Sequence, residues 1–161
     1  MGGIAFFFVG AVLFVTALML MGKAEAKSVG VFHGLVGILL LAMVIKLFFV
    51  PPHDFFTSTI LLLFIFTYIP VCASFTFGMD SRALGWYCLI VAITTIPVGL
   101  HIYEAAFKTS ILLWIYGGLW FCFFLLMGLG KSKLSKFVSY YTLAVSVLAL
   151  VPGYLMIIEK W

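Results

Sequence analysis

The sequence has 161 residues, 66% of them hydrophobic and 9% charged. A soluble domain carries about 25% charged residues, so a chain of this composition has too little polar surface to face water. The net charge of +4 is no sign of nucleic-acid binding, because in a membrane chain the place of each Lys and Arg matters more than their sum.

An apolar helix crosses the hydrocarbon core in about 20 residues, and in lipid only helices or closed barrels satisfy their backbone groups. Taken in chain order, the apolar runs predict six such helices. The first runs from Gly2 to Met21 and stops at Gly22-Lys23. The second runs from Val29 to Val50 and ends at Pro51-Pro52. The third covers Phe55 to Phe77, before Gly78-Met79-Asp80. The fourth covers Ala83 to Tyr103, the fifth Thr109 to Leu129 before Gly130-Lys131, and the sixth Phe137 to Ile158. With short turns these fill residues 1–161, which are expected to form a single all-α transmembrane domain. The N-terminus lacks the basic region of a secretory signal, so the first span is expected to stay in the mature protein.

Lys23, Lys27, Arg82, Lys131, Lys133 and Lys136 fall in or beside the first, third and fifth loops, whereas the second and fourth have at most Lys46 and Lys108. The positive-inside rule makes the odd loops cytoplasmic and puts both termini on the outer side. Gly22, Gly78 and Gly130 each close an odd-numbered helix, 56 and 52 residues apart. The simplest architecture is a two-helix hairpin repeated three times, although six spans with short loops would give a similar period without a true repeat. Pro97 and Pro152, at similar depths in the fourth and sixth helices, favour the repeat.

The polar residues narrow the function. Glu25, Asp54, Asp80, Glu104 and Glu159 are the only acidic residues, and all lie in loops or at helix ends. Coupled transporters usually hold an ionisable group at mid-membrane depth, so this distribution favours uncoupled passage of a neutral solute, or no transport. The chain has no Asn and no Gln. A polar lining therefore has to come from Ser, Thr, Tyr, Trp, His or freed carbonyls. Thr16, Thr67, Ser74, Thr94 and Thr95 are candidates, though hydroxyls in membrane helices more often bond their own backbone. His33 is the only ionisable side chain able to reach mid-depth; it is either a packing residue or part of a path. His53 and His101 sit at the outer helix ends. Cys72, Cys88 and Cys122 lie in apolar runs without metal or disulfide spacing. No His-Glu-x-x-His, Cys-x-x-Cys or intramembrane Asp pair is present, so neither a metal site nor a catalytic residue is expected.

Aromatic pairs are the positive signal. Phe64 and Tyr68 lie four apart on the third helix, and Tyr116 and Trp120 four apart on the fifth, so each pair shares a face. Tyr68 stands ten residues before Gly78 and Trp120 ten before Gly130. At about 1.5 Å per residue, both lie about 15 Å in, near mid-bilayer. A slot walled by rings with a few polar edges suits a small, flat, neutral molecule; ordinary helix packing is the competing account. Gly30, Gly34 and Gly37 on the second helix and Gly117 and Gly118 on the fifth permit close helix contact.

Several segments resemble the urea/amide channel family of the AmiS and UreI type. They are Val9-Gly10-Ala11-Val12-Leu13-Phe14, Val36-Gly37, Phe64-Ile65-Phe66-Thr67-Tyr68 followed by Thr76-Phe77-Gly78-Met79-Asp80, Gly85-Trp86-Tyr87-Cys88-Leu89-Ile90-Val91-Ala92-Ile93 continuing to Pro97, and Trp114-Ile115-Tyr116-Gly117-Gly118-Leu119-Trp120. The resemblance spans nearly the whole chain. It implies a passive channel for short aliphatic amides or urea in a bacterial inner membrane. It also implies six helices per protomer, three hairpins around a pore, and six protomers in a ring. It places the pore constrictions on Leu13, Val36, Phe64, Tyr68, Tyr116, Leu119 and Trp120. No cofactor, energy source or nucleic acid is implied; the partners are the solute, membrane lipid and copies of the chain.

The chain also departs from the family pattern. The second loop is only Pro51 to Asp54, where acid-gated urea channels carry a longer, His-containing segment. Ala144 stands where they have an acidic residue, and Thr16 and His33 replace Asn. These changes favour the amide-channel branch. The alternatives are an ion-coupled secondary transporter of a small neutral metabolite, which would need a driving gradient, and a non-transporting membrane scaffold, which would not need the aromatic pairs.

Overall fold

The computed structural model describes residues 2–161. Six helices are long and apolar enough to cross a membrane: α1 (Gly2–Leu20), α2 (Ala26–Phe49), α3 (Phe55–Phe77), α4 (Arg82–Ile102), α5 (Phe107–Phe123) and α6 (Ser135–Ile157). The chain is therefore an all-α multi-pass membrane protein. The predicted boundaries shift by one to a few residues at most ends, since polar residues at the membrane surface still extend a helix. The fifth span differs more. Its α-helical part ends at Phe123, and Phe124–Gly128 continue as a wider π turn. There the backbone of Gly128 comes so close to Gly85 of α4 that a side chain on Gly85 would overlap it.

Three glycines end the odd spans by one mechanism. Gly22, Gly78 and Gly130 have φ of 74°, 70° and 63°, a region that other residues enter at a cost. Past Gly22 the turn is a paired C-cap: Gly22 N–H donates to Met19 and Lys23 N–H to Leu18, at 2.9 and 2.8 Å. Gly78 N–H donates to Ser74 at 3.0 Å. At the other end, the Asp54 carboxylate caps α3 by accepting from Thr57 N–H at 2.8 Å.

The helices form a closed ring in chain order, α6 returning to pack on α1. Within it the tightest pairs are α1 with α6, α2 with α3, and α4 with α5. The chain is thus connected as hairpins 1–2, 3–4 and 5–6, but packed most closely across the boundaries between them. Small residues make each tight pair possible, as expected where lipid supplies no hydrophobic drive between helices. Gly10 meets Leu150 and Ser146, and Gly153 meets Phe6 and Phe7, between α1 and α6. Gly30 and Gly34 meet Cys72 between α2 and α3, and Gly117 meets Thr95 between α4 and α5. Two hydroxyls add cross-helix bonds: Ser110 donates to the Gly99 carbonyl at 2.6 Å and Tyr141 to that of Ile115 at 2.9 Å. The outside of the ring is covered by large apolar side chains such as Ile38, Phe66, Ile93, Leu100 and Phe137, a surface suited to lipid or to neighbouring protomers.

Candidate solute path

Two cavities lie along the inside of the ring. The first, toward the glycine turns, holds about 50 Å³. One water needs about 10–15 Å³, so it has room for a few waters or one small solute. Leu13 and Thr16 of α1, His33 of α2, Phe64, Thr67, Tyr68, Val71 and Phe75 of α3, Cys88 of α4, Tyr116, Leu119, Trp120 and Phe123 of α5, and Met127 of the π turn line it. The second, toward the chain ends, holds about 430 Å³ and is lined mainly by α1, α3 and α5, including Phe6, Val9, Thr57, Leu61, Leu113 and Tyr116. Phe64 and Tyr116 line both, so the two spaces meet at this pair. The odd helices supply most of the lining of both cavities, and the even helices brace them from outside.

The four aromatic residues singled out from the sequence form one cluster. α3 and α5 are not neighbours in the ring, so their rings reach each other across its interior. Phe64 meets Trp120 at 4.7 Å between centroids and Tyr116 at 5.6 Å, both edge to face. Tyr68 is 6.2 Å from Phe64, and Tyr116 is 6.0 Å from Trp120. Phe6 of α1 stacks on Tyr116 from the second cavity at 6.3 Å, a residue the sequence reading did not single out. Of the seven residues assigned to the pore by resemblance, Leu13, Phe64, Tyr68, Tyr116, Leu119 and Trp120 line the first cavity. Val36 is buried on α2 but lines neither cavity.

The polar groups are few. Thr16, Thr67, Thr94 and Thr95 each donate to a carbonyl of their own helix at 2.7–2.8 Å. Only Thr16 and Thr67 of these reach the first cavity; Thr95 faces a groove between α4 and α5. Thr94 and Ser74 line none of these spaces. His33 is buried, its Nδ1 3.0 Å from the Val29 carbonyl and its ring edge-on to Tyr68 and Phe75. Ala144 is on the exposed face of α6 and lines neither cavity. Tyr116 is the exception to polar satisfaction. Among the described residues its hydroxyl is the one buried side-chain N or O atom with no hydrogen-bond partner. Leaving such a group unpaired costs about 1–3 kcal/mol, and it stands where the two cavities meet. No group of three or more potential metal ligands occurs among the described residues.

Comparison with known proteins gives this arrangement its context. The model for the "AmiS/UreI family transporter" matches residues 1–160. The chain is 35% identical to the "Putative amidate substrates transporter protein" of Mycolicibacterium smegmatis, over all of this chain and 78% of that one. It is 32% identical to the acid-activated urea channel of Helicobacter pylori over 62% of this chain and 58% of that one. The fold matches the cryoEM structure of the Helicobacter pylori urea channel in its closed state with a TM-score of 0.88 and 27% identity, covering 100% of both chains. The crystal structure of that channel matches equally well, at 0.88 and 27%, covering 100% of this chain and 99% of that one. By the match along almost its whole length, this chain belongs to the AmiS/UreI family of transporters.

Proposed function

We propose that this protein is a passive channel for short aliphatic amides, urea among them, in a bacterial inner membrane, and that it has no catalytic activity. The observation that carries the reading is the unpaired Tyr116 hydroxyl at the meeting point of two cavities. Its neighbours there are apolar ring faces. A small flat solute that parts these rings can accept, at its carbonyl, the hydrogen bond that Tyr116 is left without. The names of the relatives, an amidate transporter and a urea channel, support the same solute class.

In this mechanism the solute leaves bulk water in the wider cavity and turns edge-on to pass Phe64, Tyr116 and Trp120. Leu13, Tyr68 and Leu119 shape the narrower cavity beyond, and Val36 backs this wall from α2. No step needs an ion. All five carboxylates lie in loops or at helix ends, so none is available at mid-depth to couple flux to a gradient. The basic glycine-turn end is assigned to the cytoplasm and both termini to the outer side. Six protomers, each with its own path, are taken to form a ring through the apolar outer faces.

Proteoliposome swelling tests the reading. Acetamide and urea should enter protein-containing vesicles faster than empty ones, at a rate unchanged when proton and sodium gradients are abolished. Entry no faster than into empty vesicles refutes the channel, and entry that stops with a gradient selects a coupled transporter.

A further inference from the structure

The hydrogen bonds around Thr16 and His33 assign the proton positions on both side chains. His33 Nδ1 lies 3.0 Å from the Val29 carbonyl oxygen. A carbonyl can only accept, so Nδ1 carries the proton and donates. The ring is buried, 3% exposed, and every carboxylate of the chain is in a loop or at a helix end. An uncharged imidazole is the form that can stand there without a counter-ion. With its one proton on Nδ1, Nε2 is a bare acceptor.

Thr16 faces that nitrogen, its Oγ1 3.4 Å from Nε2. The Thr16 hydroxyl proton is already committed, donated to the Val12 carbonyl at 2.7 Å. No proton therefore lies between Thr16 and His33, and 3.4 Å is longer than an ordinary hydrogen bond. Thr67, on α3 in the wall of the same cavity, spends its proton in the same way, on the Phe64 carbonyl at 2.7 Å. Thr16, His33 and Thr67 thus each offer this cavity a lone pair without a hydrogen, beside the Tyr68 hydroxyl and the Trp120 indole that also line it. Tyr116, at its far end, holds the unpaired hydroxyl.

We propose that Thr16 and His33 form an acceptor-only subsite that takes the N–H groups of a solute's –NH2, with Thr67 adding a third acceptor, and so select primary amides over solutes lacking N–H. The proposal rests on the channel reading above and names its specificity determinant. Two acceptors 3.4 Å apart can share one N–H of a planar –NH2 group as a three-centre bond. A donor aimed at both also relieves the facing lone pairs. A solute of similar shape without N–H leaves both acceptors dry and unpaired, which is the stronger ground for discrimination. The division of labour follows: acceptors in the narrow cavity for the nitrogen, the Tyr116 hydroxyl at the neck for the carbonyl.

The test has two arms, both on the full chain. In the first, protein labelled with 15N-histidine is observed by NMR in lipid at neutral pH, with and without acetamide. The expected result is a His33 ring protonated at Nδ1, with a bare Nε2 whose signal shifts on adding acetamide. His53 and His101 should not shift. A proton on Nε2, or an Nε2 indifferent to acetamide in protein that conducts it, overturns the subsite. In the second arm, acetamide entry is compared in wild type, Thr16→Val and Thr16→Ser. Valine keeps the volume and removes the acceptor, and one lost hydrogen bond should slow entry about three- to tenfold. Serine keeps the oxygen and should lose far less. Equal rates for valine and wild type overturn the subsite while leaving the channel standing. A wild type that conducts nothing removes the channel reading itself.

Discussion

Phe64 on α3 and Trp120 on α5 meet edge to face at 4.7 Å across the interior of the helix ring. Their helices are not packed together, so the contact depends on the whole ring being closed. Edge-to-face pairs contribute about 0.5–1.5 kcal/mol beyond their buried area. In the proposed channel the pair would also set the width of the path. Trp120→Ala should remove that wall. The expected outcome is a loss of size selection, with entry of a bulkier amide such as butyramide rising about tenfold relative to acetamide. Unchanged permeability to both in vesicle swelling would favour a scaffold role for the aromatic cluster.

Tyr116→Phe separates function from stability. The substitution deletes a buried hydroxyl that has no partner within the chain and leaves the ring contacts with Phe6, Phe64 and Trp120 in place. Stability in detergent should hold or rise by about 1 kcal/mol, while acetamide entry slows. A variant less stable than wild type would mean that the hydroxyl serves packing.

Gly10→Ala probes the closure of the ring. A Cβ there would sit 2.7 Å from the Leu150 backbone nitrogen and 2.9 Å from the Ser146 carbonyl oxygen. Backbone cannot swing aside, so α1 and α6 must separate, at about 1–3 kcal/mol. Gly2→Ala, with nothing within 4 Å, should leave the unfolding temperature unchanged. Equal melting of both variants would argue against the tight α1–α6 pair.

The start of α3 should show a pH signature. The Thr57 hydroxyl and backbone N–H hold the Asp54 carboxyl below its ordinary range. A carboxyl depressed in the folded state adds stability that is present above its unfolded value, about 3.9, and lost as pH falls through the folded one. Asp54→Ala should cost about 1 kcal/mol at neutral pH as a lost cap. Asp54→Asn keeps the acceptor without the charge, and its stability should fall less steeply than wild type below about pH 4. Parallel pH curves for wild type and the Asp54→Asn variant, measured by thermal unfolding, would contradict this.

Orientation is open to a direct check. With six basic residues in or beside the glycine turns, a periplasm-active phosphatase fused after Trp161 should be active, and the same fusion after Gly78 inactive. The reverse pattern would invert the assignment of the two cavities to the membrane faces.

Much of this protein was determined by its sequence alone, because the properties concerned are local. Hydropathy and helix length defined six spans, glycines placed the three turns, and the rise per residue put Phe64, Tyr68, Tyr116 and Trp120 at matching depth. Even the hydroxyl bonds of Thr16 and Thr67 to their own helices follow from residue type. Which faces point inward was not legible in the same way. In lipid both faces of a spanning helix are apolar, so periodicity does not separate Val36, which lines neither cavity, from Leu13, which lines one. Only the tertiary structure decided that α1, α3 and α5 supply most of the lining of both cavities, that Phe64 and Trp120 meet from non-adjacent helices, and that Tyr116 is left unpaired where two cavities join. The tight pairing of α1 with α6, from opposite ends of the chain, belongs to the same class. These are consequences of six helices closing into a ring, and a ring is a relation among all of them at once.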